Sequence, residues 1–177
     1  MACRIGLSGC GWLLSYHWGV LAALKPTKSL IYGTSGGAIA AACYLSGVDP
    51  DKGLEVMKEM SEKSRGKRWY GVGSINDVVR SGIEEEMRSS FGGNESKLLS
   101  TMNKRLRVCV SRIHPLPPTL MVVSSFKSVE DVVDCILTSS HLPFFMSSSF
   151  TTTFRGLVFY LKHTSTINYE SKYINYE

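Results

Sequence analysis

What this chain lacks narrows it before any motif does. Cysteine is sparse and odd in number: Cys3, Cys10, Cys43, Cys109 and Cys135 are widely spread and mostly inside apolar segments. That pattern argues against a disulfide frame and predicts reduced, buried thiols in a cytoplasmic protein. No Cys-x-x-Cys or Cys/His cluster offers metal-ligand spacing, and no metal or organic cofactor is expected. No apolar run reaches the roughly 20 residues of a spanning helix. Trp12 to Leu24 is apolar and follows Arg4, but it contains His17 and Gly19. Lys25-Pro26 then stands where a secretory leader needs small residues. Arginine-rich stripes and zinc-finger spacings are missing as well. A net charge of +5 over 177 residues fits tolerance of anionic surfaces such as phospholipid headgroups and falls short of a nucleic-acid binder.

What is present reads as one α/β domain with a sizeable core. Arg4 to Ser8 is a short strand, broken by Gly9-Cys10-Gly11, and Trp12 to Leu24 a largely buried helix. Leu30 to Tyr32 is a second strand and Gly36 to Ser46 its helix, closed by Gly47 and an Asp49-Pro50 turn. Amphipathic helices follow at Leu54 to Ser64 and Ile75 to Phe91, the second ended by Gly92-Gly93. Arg107 to Ile113 and Thr119 to Phe126 are strands around a proline-rich turn, Val129 to Ser139 is a helix, and Gly156 to Leu161 a last strand. Alternation of this kind predicts a layered fold with a largely parallel sheet. From Lys162 onward the composition turns polar, and Ile167-Asn168-Tyr169-Glu170 recurs as Ile174-Asn175-Tyr176-Glu177. This segment is read as an appended, poorly ordered tail.

Chemistry is concentrated at Gly33-Thr34-Ser35-Gly36-Gly37, between an apolar strand and an alanine-rich helix. A G-x-S-x-G sequence in a strand–turn–helix context is the arrangement of a nucleophile elbow, in which a sharp turn lifts the serine hydroxyl out of the sheet. A structural turn is the plainer alternative. Gly9-Cys10-Gly11 ends the first strand, and in a parallel sheet its amides share the carboxyl-end face with Ser35. The amides of Cys10, Gly11 and Gly36 could then converge on one oxyanion. A dinucleotide loop fits poorly: Leu14 stands where the third glycine belongs, and no acidic residue follows about twenty positions on.

Ser8-Gly9-Cys10-Gly11-Trp12, Tyr16-His17-x-Gly19-Val20, and Ile31 through Ala38 in this order resemble the patatin-like phospholipase family. The resemblance is to its animal branch of adipose triglyceride lipase and adiponutrin type. It extends through Leu142-Pro143-Phe144-Phe145 to Gly156 through Leu161. It implies a three-layer patatin-like fold over residues 1–161, a mostly parallel sheet flanked by helices, with 162–177 as a divergent tail. It implies a Ser–Asp dyad acting on acyl-ester lipids, triacylglycerol or phospholipid, at a membrane or lipid-droplet surface. Ser35 would be the acylated residue, with Gly9, Cys10, Gly11 and Gly36 forming the oxyanion hole.

The base of such a dyad is an aspartate in an Asp-Gly-Gly or Asp-Gly-Ala turn after the strand matching Gly156 to Leu161. Here Lys162-His163-Thr164 stands instead. The expectation is a hydrolase that is inactive or severely impaired, ended or diverged just before its base. Two alternatives stay open. One is a non-enzymatic protein binding a lipid surface or a partner. The other is a triad of Ser35, Asp131 or Asp134, and His163, in the chain order of α/β-hydrolases. Lys63, Arg65, Lys67 and Arg68 before Trp69-Tyr70 form either an interfacial patch or a solvated loop. His17 reads as a helix-packing histidine, His114 as an exposed turn residue, and His141 as a loop-packing residue or a neighbour of the acyl groove.

Overall fold

The structure, a computed structural model, describes residues 3–67, 75–112, 119–159 and 174–176. Trp69, Tyr70, the His114 to Pro118 turn and His163 lie outside this set. Arg4–Leu7 (β1), Leu30–Gly33 (β2), Leu106–Arg112 (β3), Thr119–Val123 (β4) and Ile174–Tyr176 (β7) form the sheet spine in the order β1-β2-β3-β4-β7. Three of its four pairings are parallel, and β3–β4 is antiparallel. Thr152–Phe154 (β5) and Leu157–Phe159 (β6) make an antiparallel pair joined to β3 through Arg112 and Phe159.

Strand alternation decides which side packs. Leu7, Ile31, Leu106, Val108, Val110, Met121 and Val123 join the main buried cluster together with Gly36–Leu45 (α2) and Val129–Ser140 (α6). Alanines make the close approach of α2 possible: Ala38, Ala40, Ala41 and Ala42 have no measurable exposure. A helix of such small side chains sits close to the sheet with little rotamer entropy to lose. The other side of the sheet carries Arg4, Gly6, Leu30, Tyr32 and Arg107, none of them buried. Leu14–Leu24 (α1), Pro50–Lys67 (α3), Ile75–Ser90 (α4) and Glu95–Arg105 (α5) complete the helices. No helix among the described residues is long and apolar enough to cross a membrane.

Several elements differ from the sequence reading. Gly11–Leu13 is a 3-10 turn preceding α1, and α1 buries only Leu14, Trp18 and Leu21. Asp49-Pro50 starts α3 and does not close α2: the Asp49 carboxylate accepts the Asp51 and Lys52 amides at 3.0 and 3.2 Å, with Pro50 at the first helical position. Helix α5 was not anticipated. Asn94 caps it by accepting the Lys97 amide at 3.0 Å, and Leu98 and Met102 bury its single apolar stripe. Within the segment read as a tail, Ile174–Tyr176 lies parallel to β4. All five cysteines are unpaired, but only Cys43, Cys109 and Cys135 are buried. Burial, with the nearby Glu86 carboxylate adding to it, pushes the Cys43 thiol up to about 12.

The β5–β6 hairpin is tied to α6 by one ion pair. Arg155 donates to Asp131 (Nε to Oδ1, 3.2 Å) and to the Ser125 carbonyl at 2.7 Å, and its guanidinium covers the Phe154 ring. Burial raises the Asp131 carboxyl, but the hydrogen bonds from Arg155 and the Lys127 amide outweigh it and hold the group below its ordinary value. A depressed carboxyl contributes stability above the unfolded value near pH 4, and that contribution disappears as pH falls through the lower folded value. Asp131→Asn should therefore be less stable than the parent in urea at pH 7. The difference should shrink once pH falls below about 4. Equal stability at pH 7 would show that the pair adds nothing.

Candidate active site

Ser35 joins β2 to α2 with φ 53° and ψ −126°. A side-chain-bearing residue in that region costs on the order of 1–3 kcal/mol and persists only where its surroundings enforce it. Here they do. The Thr34 amide donates to the Leu7 carbonyl at 3.1 Å, and the Gly37 and Ala38 amides donate to Thr34 and Ser35 carbonyls at 2.9 and 2.8 Å. The Ser35 amide donates to Ser139 Oγ at 2.9 Å, and that hydroxyl donates to the Cys109 carbonyl at 2.7 Å.

Glycine is required where the loops meet. A Cβ on Gly37 would stand 2.5 Å from the Leu7 carbonyl oxygen and 2.6 Å from that of Ser8. One on Gly36 would stand 2.7 Å from the Gly11 oxygen and 3.0 Å from Cys10 Sγ. The Gly9-Cys10-Gly11 loop therefore lies directly against the start of α2. At Gly9, an added Cβ would be 3.5 Å from Ser35 Cβ. The two loops open on the same end of the sheet, and both line one cavity of about 420 Å³. Of the first amides of α2, that of Gly36 alone has no partner among the described residues.

Gly9, Cys10, Gly11, Thr34, Ser35 and Gly36 make one end of this cavity. Trp12, Leu14, Ile39 and Met60, with Ile75, Val79, Leu142, Phe145 and Met146, give it an apolar lining. Ser140 also lines it, its hydroxyl buried and without a partner. Burial of the Cys10 thiol raises its pKa, which keeps it protonated and uncharged beside Ser35. Among the described residues no carboxylate or imidazole lines the cavity.

The other candidates are engaged elsewhere. Asp134 pairs with Arg80 on α4, and Asp131 with Arg155. His17 is partly exposed and its Nε2 lies 3.2 Å from the Ser8 carbonyl, which ties α1 to the end of β1. His141 is buried with Nε2 unpartnered, and it is Leu142, Phe145 and Met146, not His141, that reach the cavity wall. Lys63 pairs with Glu59 at 3.7 Å on an exposed helix face. Sequence reading passed over Ser139 and Ser140, since neither periodicity nor a motif marks two serines at a helix end. No cluster of three or more His, Cys, Asp or Glu among the described residues could hold a metal ion.

The family model described as "Patatin-like phospholipase" matches residues 6–164. This chain belongs to the patatin-like phospholipase family. Two curated relatives carry the name 1-acylglycerol-3-phosphate O-acyltransferase. Human PNPLA3 is 24% identical over 160 residues, 86% of this chain and 32% of the relative. Pnpla3 of Mus musculus is 25% identical over 162 residues, 86% of this chain and 37% of the relative. The chain thus spans about a third of their length. Among solved structures it resembles a chain of the heterodimeric ExoU-SpcU complex from the type III secretion system of Pseudomonas aeruginosa. That match has 16% identity and a TM-score of 0.52, and it covers 77% of this chain and 36% of the other. At that identity the likeness concerns the fold.

Because the atoms facing Gly37 are backbone carbonyls, no side chain can swing away to make room. Gly37→Ala should cost about 3 kcal/mol or more of unfolding free energy. Urea denaturation followed by circular dichroism measures this. A loss under about 1 kcal/mol would mean that α2 can retreat from β1 without harm.

Proposed function

We propose that this chain binds acyl-ester lipids and attacks them with the Ser35 hydroxyl, at a severely reduced rate. The observation that carries the reading is the meeting of two loops at one end of an apolar cavity. Ser35 is held there in a strained turn, and the unpartnered Gly36 amide lies beside the Gly9-Cys10-Gly11 loop. In this arrangement Ser35 Oγ adds to the ester carbonyl carbon and its proton passes to solvent water, the acceptor left where no carboxylate or imidazole lines the cavity among the described residues. The carbonyl oxygen takes the charge and accepts from the amides of Gly36 and of Cys10 or Gly11. Collapse expels the alkoxide, which takes up a proton and leaves as the alcohol, and water then releases the acyl group. The cavity walls supply apolar contact for the acyl chain.

The weak element is the base. No carboxylate or imidazole lines the cavity among the described residues, and Lys162-His163-Thr164 occupies the positions where the resemblance expects Asp-Gly-Gly or Asp-Gly-Ala. Losing such a group costs on the order of 10⁴ in turnover, leaving oxyanion and binding effects. The same observation favours a second reading, lipid binding without turnover. If this chain transfers acyl groups, as the name of its curated relatives states, a hydroxyl of an acylglycerol phosphate would replace water in the second step. Hydrolysis of an emulsified triacylglycerol or phospholipid should be slow and should vanish in Ser35→Ala. A parent rate that Ser35→Ala leaves unchanged removes the nucleophile assignment. Rapid Ser35-dependent hydrolysis would instead show that a base is supplied.

The proposed function extends to contact with a lipid surface, in the cytoplasm at a membrane or droplet, and the exposed apolar side chains near the cavity lining in sequence support the lipid contact. Ile5 to Leu24 and Cys135 to Phe154 contain no Asp, Glu, Lys or Arg. Both uncharged stretches contribute to the cavity lining, and they leave Leu13, Tyr16, Phe144 and Phe150 well exposed, at 73, 73, 60 and 59%. Phe144 and Phe150 stack obliquely at 6.3 Å, and Phe144 holds φ 61°. Exposed apolar side chains on the stretches that also line the cavity suit a substrate drawn from an apolar phase. Combined Leu13→Ser and Phe144→Ser should weaken co-sedimentation with phosphatidylcholine vesicles by at least about tenfold, since each side chain is worth roughly 1.5–3 kcal/mol when buried. Unchanged sedimentation would place the lipid contact elsewhere.

A further inference from the structure

We infer that Ser139 is a positioning residue that sets how Ser35 is presented to substrate. The inference rests on the reading of Ser35 as the nucleophile and extends it to a residue 104 positions away in the chain. Ser139 lies in the last turn of α6 and is 3% exposed. Its hydroxyl has one proton, and that proton is directed to the Cys109 carbonyl of β3 at 2.7 Å. The oxygen's lone pairs are thereby turned toward the Ser35 amide, which donates at 2.9 Å. Polarity along Ser35 N–H, Ser139 O–H and Cys109 C=O is fixed in one direction.

Two consequences follow for the site. The first is conformational: Ser35 departs from ordinary backbone geometry at φ 53° and ψ −126°, and its amide direction is part of that departure. Holding the amide to a hydroxyl anchored on β3 holds the peptide plane, and through it the direction of the Ser35 side chain. The second concerns the donors. With the Ser35 amide taken by Ser139, the amide left open at the start of α2 is that of Gly36, beside Cys10 and Gly11. Ser139 thus decides which amide is free to meet an oxyanion. Ser140, next in sequence, shows the contrast. Its hydroxyl is buried without a partner among the described residues, and the residue lines the cavity.

The experiment compares the parent with Ser139→Ala, Ser139→Thr and Ser46→Ala. Ser46 is a buried hydroxyl that donates to the Ala42 carbonyl at 2.8 Å and takes no part in the cavity wall, so its loss tests general destabilisation. The first readout is hydrogen exchange at the Ser35 amide by NMR. Protection should fall at least about tenfold in Ser139→Ala, return in Ser139→Thr and persist in Ser46→Ala. The second is Ser35-dependent hydrolysis of a p-nitrophenyl acyl ester. Here kcat should fall by about 10- to 100-fold in Ser139→Ala with KM unchanged, as expected for a misplaced nucleophile in an intact cavity. Ser46→Ala should keep the parent's kcat even where its melting temperature drops.

Unchanged Ser35 protection in Ser139→Ala, or equal losses in Ser139→Ala and Ser46→Ala, overturns the inference. If the parent shows no Ser35-dependent hydrolysis, the nucleophile assignment falls, and amide exchange alone decides the clamp.

Discussion

The contact between the start of α2 and the end of β1 organises this molecule. Gly37 rests against the Leu7 and Ser8 carbonyls at a distance no side chain tolerates, and the Thr34 amide donates to Leu7. Because the turn is seated so low, Ser35 has no room for a relaxed backbone and is driven to positive φ. The same seating brings Gly36 against Gly11 and sets both loops on the cavity lining. An alanine-rich α2 is part of this constraint, since bulkier residues would lift the helix off β2 and β3 and separate the loops.

Around that contact the structure separates its tasks. Backbone geometry belongs to the glycines and to the buried Ser139 link. Apart from Ile39 of α2, the apolar lining comes from the turn before α1, from α1, α3 and α4, and from the segment after α6. Ionic contacts stay outside the cavity: Asp131 and Asp134 of α6 pair with Arg155 and Arg80, and Glu86 of α4 pairs with Lys52 at 3.0 Å. Charge inside the cavity would carry a desolvation cost, so its confinement to the periphery suits an apolar ligand.

Much of this was legible in the sequence, for reasons that differ by element. The Ser35 turn was readable because glycine, apolar run and alanine run obey local rules of turns and helix starts. Its partner loop was readable once a parallel β1–β2 pairing placed both strand ends together, and that pairing is observed from Arg4–Leu30 to Leu7–Gly33. Helix α5 escaped notice because it has one narrow apolar stripe, Leu98 and Met102, in an otherwise polar segment. The antiparallel turn of β4 and the β5–β6 hairpin depend on pairing choices that strand propensity does not encode. Asp49-Pro50 supports both a turn and a helix start, and only packing of the following residues separates the two. Ser139 was invisible for a plainer reason: its partners are 104 and 30 positions away.

That long reach has a bearing on biosynthesis. The glycine-rich turn leaves the ribosome before β3 and α6, yet the hydroxyl that accepts from its Ser35 amide belongs to α6 and the carbonyl behind that hydroxyl to β3. Until α6 docks on β3, the Ser35 peptide has nothing on its far side to hold it in a costly conformation, and local relaxation is the favoured course. The strained geometry of this turn is therefore a late acquisition of the nascent polypeptide, gained only when distant segments close on one another. A ribosome-bound fragment carrying the whole Gly33 to Gly37 sequence would display the motif without its geometry.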